Sequence, residues 1–297
     1  MKKSQDNETP RVIAWELTRR CSLNCQHCRG NARDENYSDE FTTEECFKVI
    51  DNIASQSSLI NHQSSIVLIL TGGEPMTRPD IYDISRYATD AGMHTVMAPC
   101  GHLITTETAK KMKEAGIEAI SISIDGSTPE KHDDFRGVNG AYSRTIEGLK
   151  CAIDAGIPFQ VNTTVTSQNV NDLTDIYQLA IELGAKTFDV FFLVPTGRGS
   201  ELKDLEISAE QYENALDWIQ KTSENSPIKV KTTCAPHYAR LQKQAAPGAP
   251  HSSGGCMAGR GFVFISHRGE LQPCGFFDRP CGDLRENDYD FMKLYRT

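Results

Sequence analysis

Apolar runs of strand length alternate with amphipathic segments of helix length along most of this sequence, and that alternation limits the fold more than any other feature. The strands expected are 11–17, 66–71, 94–98, 119–124, 159–165 and 187–194. Helices are expected near 42–55, 80–91, 105–115, 142–155 and 171–183, with a further one at 208–224. Thr42 and Glu45 make a capping box for the first helix, and Cys46, Val49, Ile50 and Ile53 share one of its faces. Gly92, Gly116, Gly156 and Gly184 stand where helices should stop. Strands separated by helices imply a parallel sheet. Six βα repeats are too few for a closed eight-strand barrel, which leaves a partial, open barrel or an open sheet. Either one gathers its functional loops at the carboxyl ends of the strands.

The first of those loops carries Cys21-x3-Cys25-x2-Cys28. These spacings let one loop wrap three thiolates around a single inorganic centre, and on a cluster of four irons three ligands leave one iron open. A zinc site is the competing reading, with His27 inside the loop as a fourth ligand. The second loop carries Gly72-Gly73-Glu74-Pro75. Its glycines allow close backbone approach, and its glutamate offers an acceptor suited to a ligand's ammonium group. The topology would set the two loops side by side. Cys100, in the turn after the third strand, faces the same mouth and is read as a turn thiol; Cys46 and Cys151 are read as inert.

Composition narrows the class. The 297 residues carry a net charge of −9, which argues against nucleic acid as a main partner. No run reaches the length of a membrane span, and Met1–Glu8 lacks a signal-peptide core. Ten cysteines in such a chain read as reduced thiols and metal ligands, hence a cytoplasmic location.

After the 208–224 helix the chain changes character. Residues 243–255 have the composition of a linker, and Cys256-x12-Gly269-x4-Cys274-x6-Cys281 brackets a hairpin turning at His267-Arg268-Gly269. With Cys234 as a less secure fourth ligand, these thiols can close a second metal site, either an iron–sulfur cluster or a structural zinc. The expected division is a barrel over 1–225 and a cysteine-rich extension over 226–297.

The cysteine loop after the first strand and the Gly-Gly-Glu-Pro turn after the second resemble the radical S-adenosylmethionine (radical SAM) superfamily. The resemblance implies a partial (β/α)6 barrel of the TIM type and a [4Fe–4S] cluster on Cys21, Cys25 and Cys28. It also implies a cofactor chelated to the fourth iron and split by one electron into methionine and a 5′-deoxyadenosyl radical. Further cofactor contacts implied are Gly72, Gly73, Glu74, Ser123 in the S-I-D-G segment, and Arg136. Asn162 with Thr163 would be ribose contacts, and Leu193-Val194 the adenine wall. The C-terminal segment resembles the SPASM/twitch extension but has fewer cysteines than the full pattern. One auxiliary [4Fe–4S] cluster on Cys234, Cys256, Cys274 and Cys281 is therefore expected, two clusters in all.

Over nearly its whole length the sequence resembles the heme b synthases of the siroheme-dependent heme pathway. Such enzymes oxidatively decarboxylate two propionates of iron-coproporphyrin III to vinyls. The implied partners are that tetrapyrrole, a low-potential donor such as ferredoxin or flavodoxin, and an electron acceptor. Propionates want cationic forks, for which Arg198, His237, Tyr238 and Arg240 are the expected contacts. The alternatives are a didecarboxysiroheme deacetylase or heme d1-type sister enzyme, a peptide-modifying radical maturase, and a non-catalytic iron–sulfur or zinc protein.

Overall fold

The computed structural model describes residues 10–57, 66–245 and 255–296. Its parallel strands are β1 (Val12–Thr18), β2 (Val67–Gly72), β3 (His94–Met97), β4 (Ala119–Ser123), β5 (Phe159–Val165), β6 (Thr187–Phe192) and β7 (Lys229–Thr233). Each is hydrogen-bonded to the next. The helices between them are α1 (Thr43–Ser57), α2 (Ile81–Asp90), α3 (Thr106–Glu114), α4 (Pro129–Arg136), α5 (Ala141–Asp154), α6 (Leu173–Glu182) and α7 (Ala209–Asn225). The six expected strands and six expected helices are all present, to within a few residues. The capping box of α1 forms: Glu45 N donates to Thr42 Oγ1 (3.2 Å) and Thr42 N to Glu45 Oε2 (2.8 Å).

Among these strands and helices, α4 and β7 escaped the sequence. Helix α4 is short and polar, Pro-Glu-Lys-His-Asp-Asp-Phe-Arg, and is set by its Thr128 cap and proline start rather than by apolar periodicity. Strand β7 reads Lys-Val-Lys-Thr-Thr, too polar for the core of a sheet, and it lies at an edge.

Beyond residue 225 the chain extends both edges of one ten-stranded sheet, in the order β10-β9-β8-β1-β2-β3-β4-β5-β6-β7. The expected hairpin is β8 (Phe262–Ile265) with β9 (Glu270–Gln272), followed by β10 (Gly282–Asp283). Strand β8 lies parallel to β1, with Val12 opposite Phe262. Arg285 secures this end of the chain by a bidentate pair with Glu45 of α1 (2.7 and 3.1 Å). Helix α8 (Tyr238–Ala245) leads into the expected linker, whose residues 246–254 lie outside the described residues. The short α9 (Phe291–Tyr295) packs on α1.

A parallel sheet covered on both faces shows near-continuous hydrophobic strands. Here the strands alternate instead. Leu68, Leu70, Ile120, Ile122, Val161, Phe188 and Val190 are buried in one apolar core with the helices. The other face carries Thr71, Ser121, Ser123, Gln160, Asn162, Thr164 and Phe191, all half-buried. An open polar face inside a helix-wrapped partial barrel leaves room for a ligand.

Candidate active site

The loop after β1 is held at its start by Glu40, whose Oε1 accepts from Thr18 Oγ1 (2.7 Å) and Arg19 N (2.9 Å). Each of its three thiols accepts one N–H. Leu23 N donates to Cys21 Sγ (3.4 Å), Ala32 N to Cys28 Sγ (3.3 Å) and Arg136 Nη1 to Cys25 Sγ (3.6 Å). Such donors tune a bound cluster, although at Cys25 burial outweighs the pull of Arg136 and raises the pKa. A single tetrahedral zinc needs sulfurs about 3.8 Å apart. Among the described residues, no three cysteine sulfurs come within 4.8 Å of one another, so the wider cluster is the better fit. His27 is buried, with its ring stacked on Phe135 at 4.4 Å, and burial lowers its pKa to about 4.

Arg198 was expected at a substrate propionate. The structure turns it onto the cysteine loop, where Nε donates to the Cys25 carbonyl (3.0 Å) and Nη1 to that of Ala32 (2.6 Å). Gly197 beside it has φ +58, and a Cβ there would collide with the Cys28 and Arg29 carbonyls. The turn after β6 therefore presses directly on the cysteine loop and supports it.

Gly72-Gly73 does the same from the other side. Gly73 N donates to Thr18 O and Glu74 N to Arg20 O, both at 2.8 Å. Glu74 is fully buried and joins three loops: Oε1 accepts from Met76 N (2.9 Å), Oε2 from Cys100 N (2.6 Å). Burial raises its pKa, against the pull of those N–H groups.

Cys100, read from sequence as a turn thiol, lies against Cys21, and its hydrogen bond is the largest influence lowering the Cys21 pKa. One donor atom each of Glu74, Cys100 and His102 falls within 4.8 Å of the others. His102 Nε2 meets Ser22 Oγ at 2.9 Å. With both Glu74 oxygens already accepting main-chain N–H groups, this is a hydrogen-bonded knot behind Cys21.

Arg136, expected at the cofactor carboxylate, is buried beside Cys25 and forms an ion pair with Asp125. Asp125 was missed from sequence, although the S-I-D-G string contains it. Its Oδ1 accepts from Thr164 N (2.7 Å), and its own N–H donates to His132 Nδ1 (3.3 Å). That bond needs neutral His132. Burial first, and Arg136 second, lower the His132 pKa to about 4, against an ordinary 6.5. A depressed histidine contributes stability that is complete above pH 6.5 and is lost as pH falls through 4. The expected loss is roughly 3 kcal/mol. His132→Asn keeps an acceptor but does not titrate, so urea melts of the variant between pH 7 and 4 should show a visibly shallower decline. Parallel declines would refute the assignment.

Ser123 and Asn162 stand opposite each other on β4 and β5, both on the open face. Thr163 must be corrected: adjacent strand residues face opposite ways, and its fully buried hydroxyl donates to Ile124 O (2.7 Å) on the helix side. Val194 lies half-buried just beyond β6. Asp189 and Lys231 pair across β6 and β7 (3.0 Å). The remaining expected substrate contacts lie elsewhere. Arg240 is exposed and paired with Glu213 of α7, and His237 sits edge-on to Tyr212 of the same helix at 5.9 Å. Tyr238 opens α8, half-buried.

Comparison with known proteins decides the family. The model of the radical SAM superfamily matches residues 15–180, from β1 to α6. The chain belongs to the radical SAM superfamily. Its relatives include an AdoMet-dependent heme synthase of Methanosarcina barkeri, 44% identical over 291 residues, covering 94% of this chain and 81% of that one. Another, of Nitratidesulfovibrio vulgaris, is 43% identical and covers 95% and 78%. Two solved structures share the fold. Streptococcus suis SuiB bound to a precursor peptide gives a TM-score of 0.78 at 16% identity, covering 98% of this chain and 65% of SuiB. The anSMEcpe structure with bound AdoMet gives 0.72 at 15%, covering 96% and 80%.

As a radical SAM enzyme the chain uses S-adenosylmethionine and a [4Fe–4S] cluster. Cys21, Cys25 and Cys28 fit the cluster in number, burial and hydrogen bonding. No helix among the described residues is long and apolar enough to cross a membrane.

Proposed function

We propose that this radical SAM enzyme is a heme synthase that oxidatively decarboxylates two propionates of iron-coproporphyrin III to vinyls, giving heme b. The observation that carries the reading is the 44% identity, over 94% of the chain, to an AdoMet-dependent heme synthase. An Fe-coproporphyrin III synthase of the same organism is 36% identical over only 70% of the chain. When bound at Cys21, Cys25 and Cys28, the cluster and S-adenosylmethionine would supply the one-electron chemistry that abstracts a hydrogen from a propionate β-carbon. The protein's own groups do the rest. Arg136 and the main-chain N–H groups of Leu23 and Ala32 hold charge at the thiolates, and the Gly-Gly-Glu turn fixes the loop. Ser123, Asn162 and Val194 offer positions for the nucleoside, and the polar sheet face receives the substrate.

Oxidative loss of carbon dioxide would release an electron as well; Cys234, Cys256, Cys274 and Cys281 would hold one auxiliary [4Fe–4S] cluster able to accept it. In support, Cys234 has Cys274 and Cys256 near enough to add to burial in raising its pKa to about 11. Cys274 Sγ accepts from Phe276 N (3.5 Å), as the first-cluster thiols do from their neighbours. Cys281 enters beside β9, its N–H on Leu271 O (2.7 Å). A cytoplasmic ferredoxin or flavodoxin would supply the low-potential electron.

The test is anaerobic turnover. Reconstituted protein should hold roughly eight irons, four per cluster. With iron-coproporphyrin III, S-adenosylmethionine and reductant it should form heme b through a monovinyl intermediate, seen by mass. Turnover of didecarboxysiroheme without turnover of iron-coproporphyrin III would move the chain to the sister activity.

A further inference from the structure

A cavity of about 220 Å³ lies between the cysteine loop and the C-terminal hairpin. One wall is Arg29, Gly30 and Asn31, which follow Cys28; another is Gly275 and Phe276, which follow Cys274. We infer that this cavity seats a propionate carboxylate of the tetrapyrrole, with Arg19 as its anchor and Arg29 as a fixed wall beside it. The inference rests on the tetrapyrrole reading above.

The volume falls below the ~300–1,000 Å³ of a pocket for a whole small-molecule ligand, so the cavity takes a side chain of the substrate rather than its macrocycle. Its chemistry suits an anion. Arg29 is fixed from three directions: Nη1 donates to Gly275 O (3.1 Å), Nη2 to Glu16 Oε1 (2.8 Å), and the guanidinium lies 4.4 Å above the Phe264 ring. Arg19 is held only through Nε, 3.4 Å from Glu16 Oε2. Its two terminal nitrogens have no partner among the described residues, and its side chain is 32% exposed. Glu16 lies 1% exposed under both arginines and His267, and they hold its carboxyl down to about 2 despite burial. One buried carboxylate thus faces two guanidiniums, which leaves one positive charge and a planar two-donor fork open to the cavity. Asp278, the acidic group on the far wall, is exposed at the rim, where solvent screens it.

Position agrees with chemistry. Glu16 and Phe264 belong to β1 and β8 on the open face of the sheet, the face that carries Ser123 and Asn162. A carboxylate on Arg19 would therefore hold the porphyrin edge between the Cys28 side and the Cys274 side, within reach of both thiol groups. Arg198 and Arg240 leave this work to others, being committed to loop carbonyls and to Glu213.

The test is anaerobic titration of the reconstituted full chain with iron-coproporphyrin III, followed by Soret absorbance, with iron content as the check on folding. Arg19→Gln should weaken binding roughly tenfold or more, the worth of one charge-assisted pair. Arg19→Lys should recover part of it. In turnover the loss should appear in KM more than in kcat. The tetramethyl ester of the same porphyrin should bind wild type and Arg19→Gln equally poorly. Wild-type binding matched within twofold by Arg19→Gln would overturn the anchor, as would equal losses for acid and ester. Wild type that binds no iron-coproporphyrin III overturns the tetrapyrrole reading itself, and the anchor with it.

Discussion

Asp125→Ala is expected to destabilise the protein by about 3–5 kcal/mol, the cost of leaving a buried charge without its partner. Arg136 is 7% exposed and cannot swing out to water. Burial alone would push the Asp125 pKa up, but Arg136 and the neighbouring histidines outweigh it and hold the carboxyl below its ordinary value. Removing the carboxylate also frees Thr164 N and leaves Arg136 with Cys25 Sγ as its remaining hydrogen-bond partner. Asp125→Asn keeps the acceptor and loses the charge, and should fall between wild type and alanine. Urea denaturation of the cluster-free protein measures both. An alanine variant within 1 kcal/mol of wild type would show that the pair is hydrated and carries little.

Gly73→Ala should abolish cluster loading with a smaller loss of global stability. A Cβ at this position would lie 2.5 Å from both the Arg19 and Arg20 carbonyl oxygens, and main-chain atoms cannot step aside as a side chain can. The two loops must part, and the bonds from Gly73 N to Thr18 O and from Glu74 N to Arg20 O go with them. Overpacking of this kind costs about 1–3 kcal/mol. The local effect is larger, because the displaced residues lead directly into Cys21. Gly92→Ala is the matched control: φ is +87 there but nothing lies within 4 Å, so the backbone penalty of about 1 kcal/mol should come without loss of iron. Iron and sulfide analysis after reconstitution decides the matter, and normal loading of the Gly73 variant would refute it.

Much of this architecture was legible before any coordinates. Periodicity located the strands and most helices, because burial on one face imposes it on every amphipathic element. Cys21, Cys25 and Cys28 were legible because one loop holds all three. What stayed hidden depends on residues distant in sequence. Nothing local distinguishes Asn162 from Thr163 as the ligand-facing residue until the strand's orientation is known. Arg198 resembles a free cation in a glycine-rich turn, and its commitment to the Cys25 and Ala32 carbonyls spans more than 160 positions. Cys100 was set aside as a turn thiol because only the meeting of two loops places it on Cys21. Asp125 and Glu16 look like ordinary strand-end acids until their arginines arrive.

The parallel pairing of β8 with β1 has a consequence for biogenesis. Val12 leaves the ribosome long before its neighbour Phe262 is made, so the first strand waits with one edge bare through most of synthesis. Arg29 likewise waits for Gly275, and Glu16 for His267. Iron delivered to a nascent chain would meet a cysteine loop already braced by Gly73 and Arg198 but still lacking its contacts with the C-terminal hairpin.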